Sequence, residues 1–422
     1  MSKKFLVGVL SLLLTVSLFS GCGKKDEKTP DENGSNNEGV AGEKVTLNIW
    51  GMGEEAKLLS KIEPDFEKAN PDIDMVVQAI PWDQAHDKLL MAVASQKGPD
   101  VIQLGTTWIP EFAEAEVLKD LTPYIDEYPN LDPKNYFESS VGTTNFDGKY
   151  IGVPWYVDTR ALFYRTDLLE EVGYPEGPST WDELKDASTK LAARGDGQYG
   201  ISFDLKDQVF SIPYGWQNGS EIIKDGKPLF NEPEYVDAVK YLDSFFKEEL
   251  SPVQDDMDAI QAFKNGSRPM FVSGPWMINI IKDQAADIDG KWAVRTVPAK
   301  ENNLSSVGGS NLVVFEYTKQ EEAALKFINY MTEVETQVKW FDVAKCLPAR
   351  TEAWNDEALS SDPFFSAFGE QMKNSKIAPF IPEWEAIAME VRKSLEEISI
   401  GGADIQTELD KLNKTVEKML EK

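Results

Sequence analysis

The stretch KVTLNIWG, residues 44–51, begins the pattern that decides the fold. Its apolar and polar residues alternate with a period of two, which predicts a strand. The next stretch, MGEEAKLLSKIEPDFEKANPD, residues 52–72, instead spaces its apolar residues as a helix does and ends in the turn sequence NPD. Residues 73–80 return to a strand pattern. Together these residues predict a strand, a helix and a second strand.

Strand and helix patterns keep alternating beyond this unit. Residues 82–96 predict a helix and residues 100–104 a short strand, and the alternation resumes after Gly148. Residues 321–341 predict one amphipathic helix ahead of a largely helical C-terminal region. Such alternation is typical of a parallel sheet covered by helices. Residues 44–422 are long enough for two α/β domains.

The N-terminal segment has the layout of a secretory signal peptide. Two lysines precede an apolar run from Phe5 to Phe19, and the small residues Ser20 and Gly21 follow it before Cys22. The run is shorter than the ~20 apolar residues that a membrane-spanning helix needs. The ending LFSGC resembles a bacterial lipobox. We therefore expect residues 1–21 to be a signal peptide and the Cys22 thiol to receive diacylglycerol, with palmitate as a typical acyl chain.

The lipidated cysteine is expected to begin a disordered tether, residues 22–43. This segment has no aromatic residue and is rich in glycine, asparagine and charge, so it cannot bury enough surface to fold. A flexible chain of this length spans ~25 Å on average. We expect a globular body anchored by lipid to the extracellular face of the cell membrane. The asparagine-rich acidic tether favours a Gram-positive host.

The composition argues against several classes of function. There are 72 acidic against 43 basic residues and the formal net charge is −29, which disfavours binding to nucleic acid or anionic lipid. His86 is the only histidine, which argues against histidine-rich zinc sites. Lipidation of Cys22 leaves Cys346 without a disulfide partner. We expect no metal site, no catalytic group and no cofactor.

Seven blocks along the chain carry a resemblance to a known family. They are PDVI at 99–102 leading into EF at 111–112 and LKDL at 118–121, GKYIGVPWYVDTRALFYRTDLLEEVG from 148, STWDEL from 179, FKNGSRPMFVSGPW from 263, GGSNLVVF from 308, EEAALKFINYM from 321, and CLPAR from 346. In this order they resemble the family 1 extracellular solute-binding proteins. That family contains the maltose- and other oligosaccharide-binding proteins of ABC importers.

The resemblance implies an α/β, two-lobed fold of the periplasmic-binding-protein type II, with a ligand cleft between the lobes. The chain would cross between the lobes near Val157, near Asn302 and near Lys345. Lobe 1 would comprise residues 44–157 plus 303–345, and lobe 2 residues 158–302 plus 346–422. Hinge closure around the ligand is a property that such proteins share.

The implied function is binding rather than catalysis. As a monomer, the protein would capture an oligosaccharide or another sugar and deliver it to the transmembrane subunits of an ABC permease. Sugars present flat C–H patches and rings of hydroxyls, so their sites need aromatic faces with carboxylate or amide groups. The chain has 11 tryptophans from which such faces could come.

Two tryptophans are candidates from their place after predicted strands. Trp82 follows the second strand and Trp108 follows the third, where loops leave the sheet. Ligands of open α/β sheets bind beyond the carboxyl ends of the strands. We therefore expect both rings to face the cleft, with ordinary half-buried packing as the alternative.

The resemblance adds candidates in the second half of the site. Asp158, in WYVDTR, matches an acidic position that contacts sugar hydroxyls in similar proteins, and a salt bridge with Arg160 is the alternative. Trp216, in GWQNGS, lies in the second lobe. Trp276, in SGPW, matches a tryptophan that stacks on sugar in related proteins.

Three later residues complete the expected site. Gly309 and Ser310 would bring backbone amides close to the ligand, since glycine permits close approach of the backbone. A tight bend entering a strand is the alternative for these two residues. Trp384, which follows Pro379 and Pro382, resembles a late aromatic residue that closes such sites.

Other functions remain open from the sequence. The same transport role could serve a non-sugar or an anionic solute, with Arg160 or Arg350 as the anchoring base. A glycosidase needs only two carboxylates at the right separation, and the chain has many acidic residues. A lipid-displayed adhesion protein would retain the fold without using the cleft.

Overall fold

The computed structural model describes residues 44–207, 210–253 and 257–421. The expected signal peptide, the lipidated Cys22 and the tether lie outside these ranges. No helix in the described ranges is long and apolar enough to cross a membrane.

The strands of the described residues are numbered in chain order. They are β1 (Val45–Met52), β2 (Ile73–Ile80), β3 (Val101–Gly105), β4 (Asn145–Phe146), β5 (Lys149–Tyr150), β6 (Val153–Thr159), β7 (Ala161–Arg165), β8 (Ile223–Lys224), β9 (Lys227–Pro228), β10 (Met270–Ser273), β11 (Trp292–Arg295), β12 (Ser305–Val314), β13 (Leu347–Pro348) and β14 (Ser375–Lys376). The three N-terminal strands agree with the predicted ones to within one residue.

The α-helices are numbered in the same way. They are α1 (Gly53–Leu58), α2 (Glu63–Ala69), α3 (Trp82–Ser95), α4 (Ile109–Glu114), α5 (Glu138–Val141), α6 (Thr166–Glu171), α7 (Trp181–Ala192), α8 (Ile212–Gln217), α9 (Pro233–Lys247), α10 (Ala259–Asn265), α11 (Trp276–Gln284), α12 (Glu321–Met331), α13 (Val334–Ala344), α14 (Glu357–Ser360), α15 (Pro363–Met372), α16 (Trp384–Ser399) and α17 (Ile405–Leu420).

The larger sheet has the strand order β13-β6-β12-β3-β1-β2, with β14 paired to β12. β1 runs parallel to both β2 and β3, as the alternating pattern predicts. β12 runs antiparallel to β3 and to β6, so the complete sheet is mixed rather than parallel. β12 comes from far along the sequence, and no local pattern indicates how it pairs in the sheet.

A smaller sheet has the order β10-β7-β11 and is antiparallel throughout. Its strands come from the middle of the chain, between β6 and β12 of the larger sheet. The two sheets correspond to the two-lobed architecture that the family resemblance implies. Arg160 alone separates β6 from β7, so the first crossing between the sheets falls at this residue.

The crossings lie side by side. The Ser305 hydroxyl, where the chain returns into β12, accepts a hydrogen bond from the Arg160 N–H at 3.2 Å and donates one to the Arg160 carbonyl at 3.0 Å. The Thr159 and Ser375 hydroxyls are 2.9 Å apart. These short polar side chains join three segments that are distant in sequence.

The segment after the predicted third crossing still pairs with the larger sheet. β13 and β14 follow the predicted crossing at Lys345, and both pair within the larger sheet. The chain therefore leaves that sheet only after Lys376. Beyond it, α16 packs on α9 and α17. The predicted lobe boundaries therefore stay a prediction.

The single helix predicted over 321–341 is two helices. α12 ends before Thr332, whose hydroxyl donates back to the Ile328 carbonyl at 2.7 Å. The Thr332 carbonyl accepts a hydrogen bond from Arg350 Nη1 at 2.8 Å. α13 then carries the apolar face onward. The apolar spacing continues through the break, so periodicity alone does not indicate it.

Candidate functional site

A cleft with a cavity volume of about 880 Å³ lies at the ends of several strands. Its lining comes from the turns after β1, β2 and β3, from β6 and β12, and from the starts of α8 and α11. The volume falls within the range of ligand pockets, roughly 300–1,000 Å³. It lies beyond the carboxyl ends of the parallel strands, where ligands bind in open α/β sheets.

The larger sheet contributes a pair of packed indoles to one wall. The ring centroids of Trp82 and Trp108 are 5.5 Å apart in an edge-to-face arrangement. Trp82 is 36% exposed and Trp108 is 8% exposed. His86 packs edge-on against Trp108, and its Nε2 is 2.7 Å from Glu111 Oε2. The only histidine of the chain therefore supports this wall.

Glycine makes room for that pair. Gly53, which begins α1, has a φ of +68°, a conformation that residues with a side chain rarely adopt. A Cβ atom there would come within 2.6 Å of Trp82 Nε1. The backbone turn after β1 and the indole after β2 can approach each other only because this position lacks a side chain.

The opposite wall presents a single open indole. Trp276 is the first residue of α11 and is 41% exposed. A Cβ atom on Gly274 would lie 2.1 to 2.6 Å from three atoms of the six-membered ring, so the ring rests against the bare backbone there. The Arg160 guanidinium lies over the ring, 4.8 Å from its centroid. Such a contact contributes roughly 0.5–1 kcal/mol at exposed sites.

Trp216 also lines the cleft but is almost completely buried. It lies in α8 and is 2% exposed, with the Lys376 ammonium 5.6 Å from its ring centroid. The sequence places both Trp216 and Trp276 in the second lobe, but only Trp276 matches a tryptophan that stacks on sugar. Of these two residues, only Trp276 offers a wide ring surface to the cleft.

The floor of the cleft carries an ion pair. Asp158 Oδ1 accepts from Arg160 Nη1 at 2.6 Å, which is the alternative that the sequence left open for Asp158. Burial would lower the pKa of the Arg160 guanidinium, but the Asp158 and Asp207 carboxylates outweigh burial and raise it. A Cβ atom on Gly308 would lie 2.5 Å from Asp158 Oδ1, so this glycine makes space for the carboxylate.

Gly309 lines the cleft and has a φ of +121°. A Cβ atom there would lie 2.3 Å from the Tyr156 carbonyl oxygen. The close approach that the sequence predicts at Gly309 is therefore an approach to β6. A contact of its amide with ligand remains a prediction.

A buried polar network beneath the floor was not found from the sequence. The Tyr156 hydroxyl donates to Glu55 Oε1 at 2.9 Å and accepts from Gln103 Nε2 at 3.0 Å. Ser310 Oγ lies 3.1 Å from the same hydroxyl. Burial, with the Glu55 charge second, raises the pKa of Tyr156 well above its ordinary value. The network fixes Glu55, which lines the cleft. No short motif signals it, because its members come from four elements.

Two predicted site residues lie outside the cleft. Ser310 is fully buried, and its side chain belongs to the network around Tyr156 instead. Trp384 is 1% exposed and packs in a core formed by α8, α9, α16 and α17. With Ile387, Ala388 and Val391 it forms the buried stripe of α16, at the spacing that helix packing requires. That spacing is visible in the sequence and would have placed Trp384 in the core.

Arg350, which the sequence offers as an anchor for an anionic solute, also lies elsewhere. It is 9% exposed, and its Nη1 donates to Asn130 Oδ1 and to the Thr332 carbonyl, each at 2.8 Å. The described residues contain no group of three or more histidine, cysteine or acidic side chains placed to hold a metal ion.

Comparison with known proteins identifies the family. The sequence profile described as bacterial extracellular solute-binding protein matches residues 51–338. The galactooligosaccharide-binding protein of Bacillus subtilis is 26% identical over 435 residues, covering 98% of this chain and 97% of the relative. The maltotriose-binding protein of Pyrococcus abyssi is 25% identical over 378 residues, covering 87% of this chain and 80% of the relative.

Solved structures agree with this assignment. The sugar-binding protein MalE of Xanthomonas citri is 32% identical with a TM-score of 0.82, covering 89% of this chain and 97% of that one. The GacH receptor of Streptomyces glaucescens, solved unliganded and with acarbose, is 25% identical with a TM-score of 0.81. That match covers 90% of this chain and 99% of the receptor chain.

Proposed function

We propose that this chain, which belongs to the bacterial extracellular solute-binding protein family, captures an oligosaccharide in its interlobe cleft. As the solute-binding component of an ABC transporter it would then deliver this ligand to the membrane permease. Relatives named for maltotriose, galactooligosaccharide and arabinooligosaccharide support a sugar ligand.

The observation that carries the proposal is the aromatic lining of the cleft. Trp82 and Trp276 expose 36% and 41% of their surface to a cavity of about 880 Å³, with Trp108 behind the first ring. Large exposed indoles are unfavourable in water unless a ligand covers them. Sugar rings present C–H faces for stacking, and the carboxylates of Glu55 and Asp158 can accept hydrogen bonds from sugar hydroxyls.

A thermal-shift screen with maltotriose, galactooligosaccharides and arabinooligosaccharides tests the sugar assignment. A ligand at a hundred times its Kd stabilises the folded state by about 2.7 kcal/mol, which gives a clear rise in Tm. Mannitol at equal mass concentration controls for general solute effects. If a non-sugar solute raises Tm while every oligosaccharide fails, the sugar assignment is wrong.

We propose that ligand closes the two lobes about the crossings at Arg160, Ser305 and Ser375. The radius of gyration from solution scattering should fall when the best binder of the screen saturates the protein. An unchanged scattering profile at proven occupancy would contradict closure. The same measurement reports molecular mass and so tests the proposed monomer.

We propose a lipid anchor at Cys22 behind a cleaved signal peptide, which would hold the protein on the outer face of a Gram-positive cell membrane. Cys22→Ala should abolish labelling by a clickable palmitate analogue and release the protein into the medium. Cys346→Ala is the matched control, because it removes the other cysteine and leaves the lipobox-like ending intact. Equal labelling of both variants would contradict the anchor.

We propose binding without turnover. No member of the relatives named above is described as an enzyme. Incubation with the best binder of the screen should release no shorter sugar over hours, as followed by chromatography. Stoichiometric or greater hydrolysis, lost with Asp158→Asn, would instead favour a glycosidase.

A further inference from the structure

The charged side chains that line the cleft are unevenly divided. Among the described lining residues, four carry carboxylates and two carry bases. The acids are Glu55, Asp158, Asp207 and Glu385, and the bases are Arg160 and Lys345. Two bases can therefore attract an anionic ligand, while four carboxylates repel it. Partly enclosed charges are screened less than surface charges, so the imbalance acts on any ligand in the cleft.

Arg160 is already engaged by the protein. Its Nη1 donates to Asp158 Oδ1 at 2.6 Å, and its guanidinium lies 4.8 Å from the centroid of the Trp276 ring. An arginine that binds a carboxylate ligand usually offers two parallel N–H groups to it. Here one of these groups and the flat face of the guanidinium already have protein partners.

The second base is also engaged. The Lys345 ammonium lies 3.5 Å from Asp342 Oδ1 and 4.7 Å from the centroid of the Phe341 ring. Lys376, close to Trp216 at the edge of the site, is 2.7 Å from Glu221 Oε2. Each base near the cleft is therefore neutralised by a carboxylate of this chain.

We propose that the cleft selects oligosaccharides without negative charge and rejects uronates, and that Asp158 determines this selectivity by holding Arg160. The inference rests on the oligosaccharide function proposed above and names the class of sugar. Asp158 neutralises the base placed beside the stacking tryptophan.

Matched pairs of sugars test this selectivity. Isothermal calorimetry would compare galactotriose with galacturonotriose, and maltotriose with its glucuronate analogue, since the members of each pair differ in carboxylate content. For the pair whose neutral member binds, the acidic member should bind at least tenfold more weakly. Tighter binding of the acidic member would overturn the selectivity and leave the oligosaccharide function standing. If all four sugars fail while a non-sugar solute binds, the proposed function fails and the inference fails with it.

The residue assignment has its own test. Asp158→Asn keeps the shape of the side chain but frees the Arg160 guanidinium and removes one negative charge. The ratio of the Kd of the acidic sugar to the Kd of the neutral one should fall at least tenfold in this variant. Asp237→Asn is the control, because it removes the same charge from an exposed pair with Lys240 in α9. An unchanged ratio in Asp158→Asn, or an equal fall in both variants, would overturn the role of Asp158.

Discussion

Trp276 and Trp384 are each the first residue of a helix, yet they have opposite surroundings. Trp276 begins α11 and is 41% exposed in the cleft, whereas Trp384 begins α16 and is 1% exposed in a helical core. α11 buries Ile278 and Ile281 and leaves its first residue outside that pair. α16 buries Ile387, Ala388 and Val391 on the same stripe as Trp384.

The place of a tryptophan in a helix does not decide its role. The role of the tryptophan depends on whether its ring lies on the face of the helix that packs against other elements. A ring in the cleft is still hydrated, and a bound ligand can displace that water. A ring in the core has already lost its water on folding. The two sites should therefore respond to the same substitution in different measurements.

The largest expected effect is the loss of stability in Trp384→Ala. Truncation of a buried tryptophan leaves a cavity and costs roughly 3–5 kcal/mol of the free energy of unfolding. Urea denaturation should show a much lower midpoint. Trp384→Phe is the matched control, because it keeps an aromatic ring and the indole Nε1 has no hydrogen-bond partner to lose. A near-wild-type denaturation midpoint for Trp384→Ala would contradict a core role for Trp384, and the difference from Trp276 would be lost.

The next effect is the loss of affinity in Trp276→Ala. The fold should remain nearly as stable as wild type, while binding of the best oligosaccharide weakens by about 2 kcal/mol, roughly 30-fold. Calorimetry beside a denaturation midpoint measures both quantities. Wild-type affinity in this variant would refute the stacking role, and a large fall in the midpoint would make Trp276 a core residue like Trp384.

A smaller effect is expected from the backbone beneath Trp276. Gly274→Ala places a Cβ atom 2.1 Å from the indole, so the ring must shift. Overpacking costs about 1–3 kcal/mol in a core, but an open ring can move, so we expect about 1 kcal/mol of lost affinity and little loss of stability. Gly142→Ala is the control, since its Cβ would meet no atom closer than 3.4 Å. Equal affinities in the two variants would show that the ring position is unimportant.

The smallest expected effect concerns the thiol of Cys346, which lines the same cleft as Trp276. Burial, followed by the Glu55 and Asp158 carboxylates, raises the pKa of this thiol well above its ordinary value. The thiolate fraction is therefore low, and the alkylation rate should still rise with pH above about 9, where free cysteine levels off.

Removal of one nearby charge sharpens this measurement. Asp158→Asn should lower the thiol pKa and speed alkylation a few-fold at fixed pH. Trp384→Phe, which changes the core and not the cleft, should leave the rate unchanged. A rate profile like that of free cysteine in the wild-type protein would contradict the raised pKa of the Cys346 thiol.

Much of the fold could be predicted from local pattern. The two strands within residues 45–80 and the helix from Trp82 depend on periodicity that neighbouring residues share. The single helix predicted between those strands is two helices, α1 and α2. Six of the eight residues expected to bind ligand line the cleft. Trp82 and Trp108 were expected there because loops at the ends of parallel strands meet at one edge of a sheet. Asp158, Trp216, Trp276 and Gly309 were expected there from the family resemblance. Their contacts with ligand remain predictions.

The sequence by itself determined the class of fold, the family and the place of the cleft, since these follow from periodicity and from short blocks in order. The tertiary structure adds that Asp158 holds Arg160 and that Tyr156 fixes Glu55. It also decided that Thr332 ends a helix. Asp158 and Arg160 are only two residues apart, and their salt bridge was one of two alternatives that the sequence left open. The network around Tyr156 requires atoms from segments far apart in the chain. Local preferences of about 1 kcal/mol or less per residue cannot encode such contacts, because burial and hydrogen bonding across the fold outweigh them.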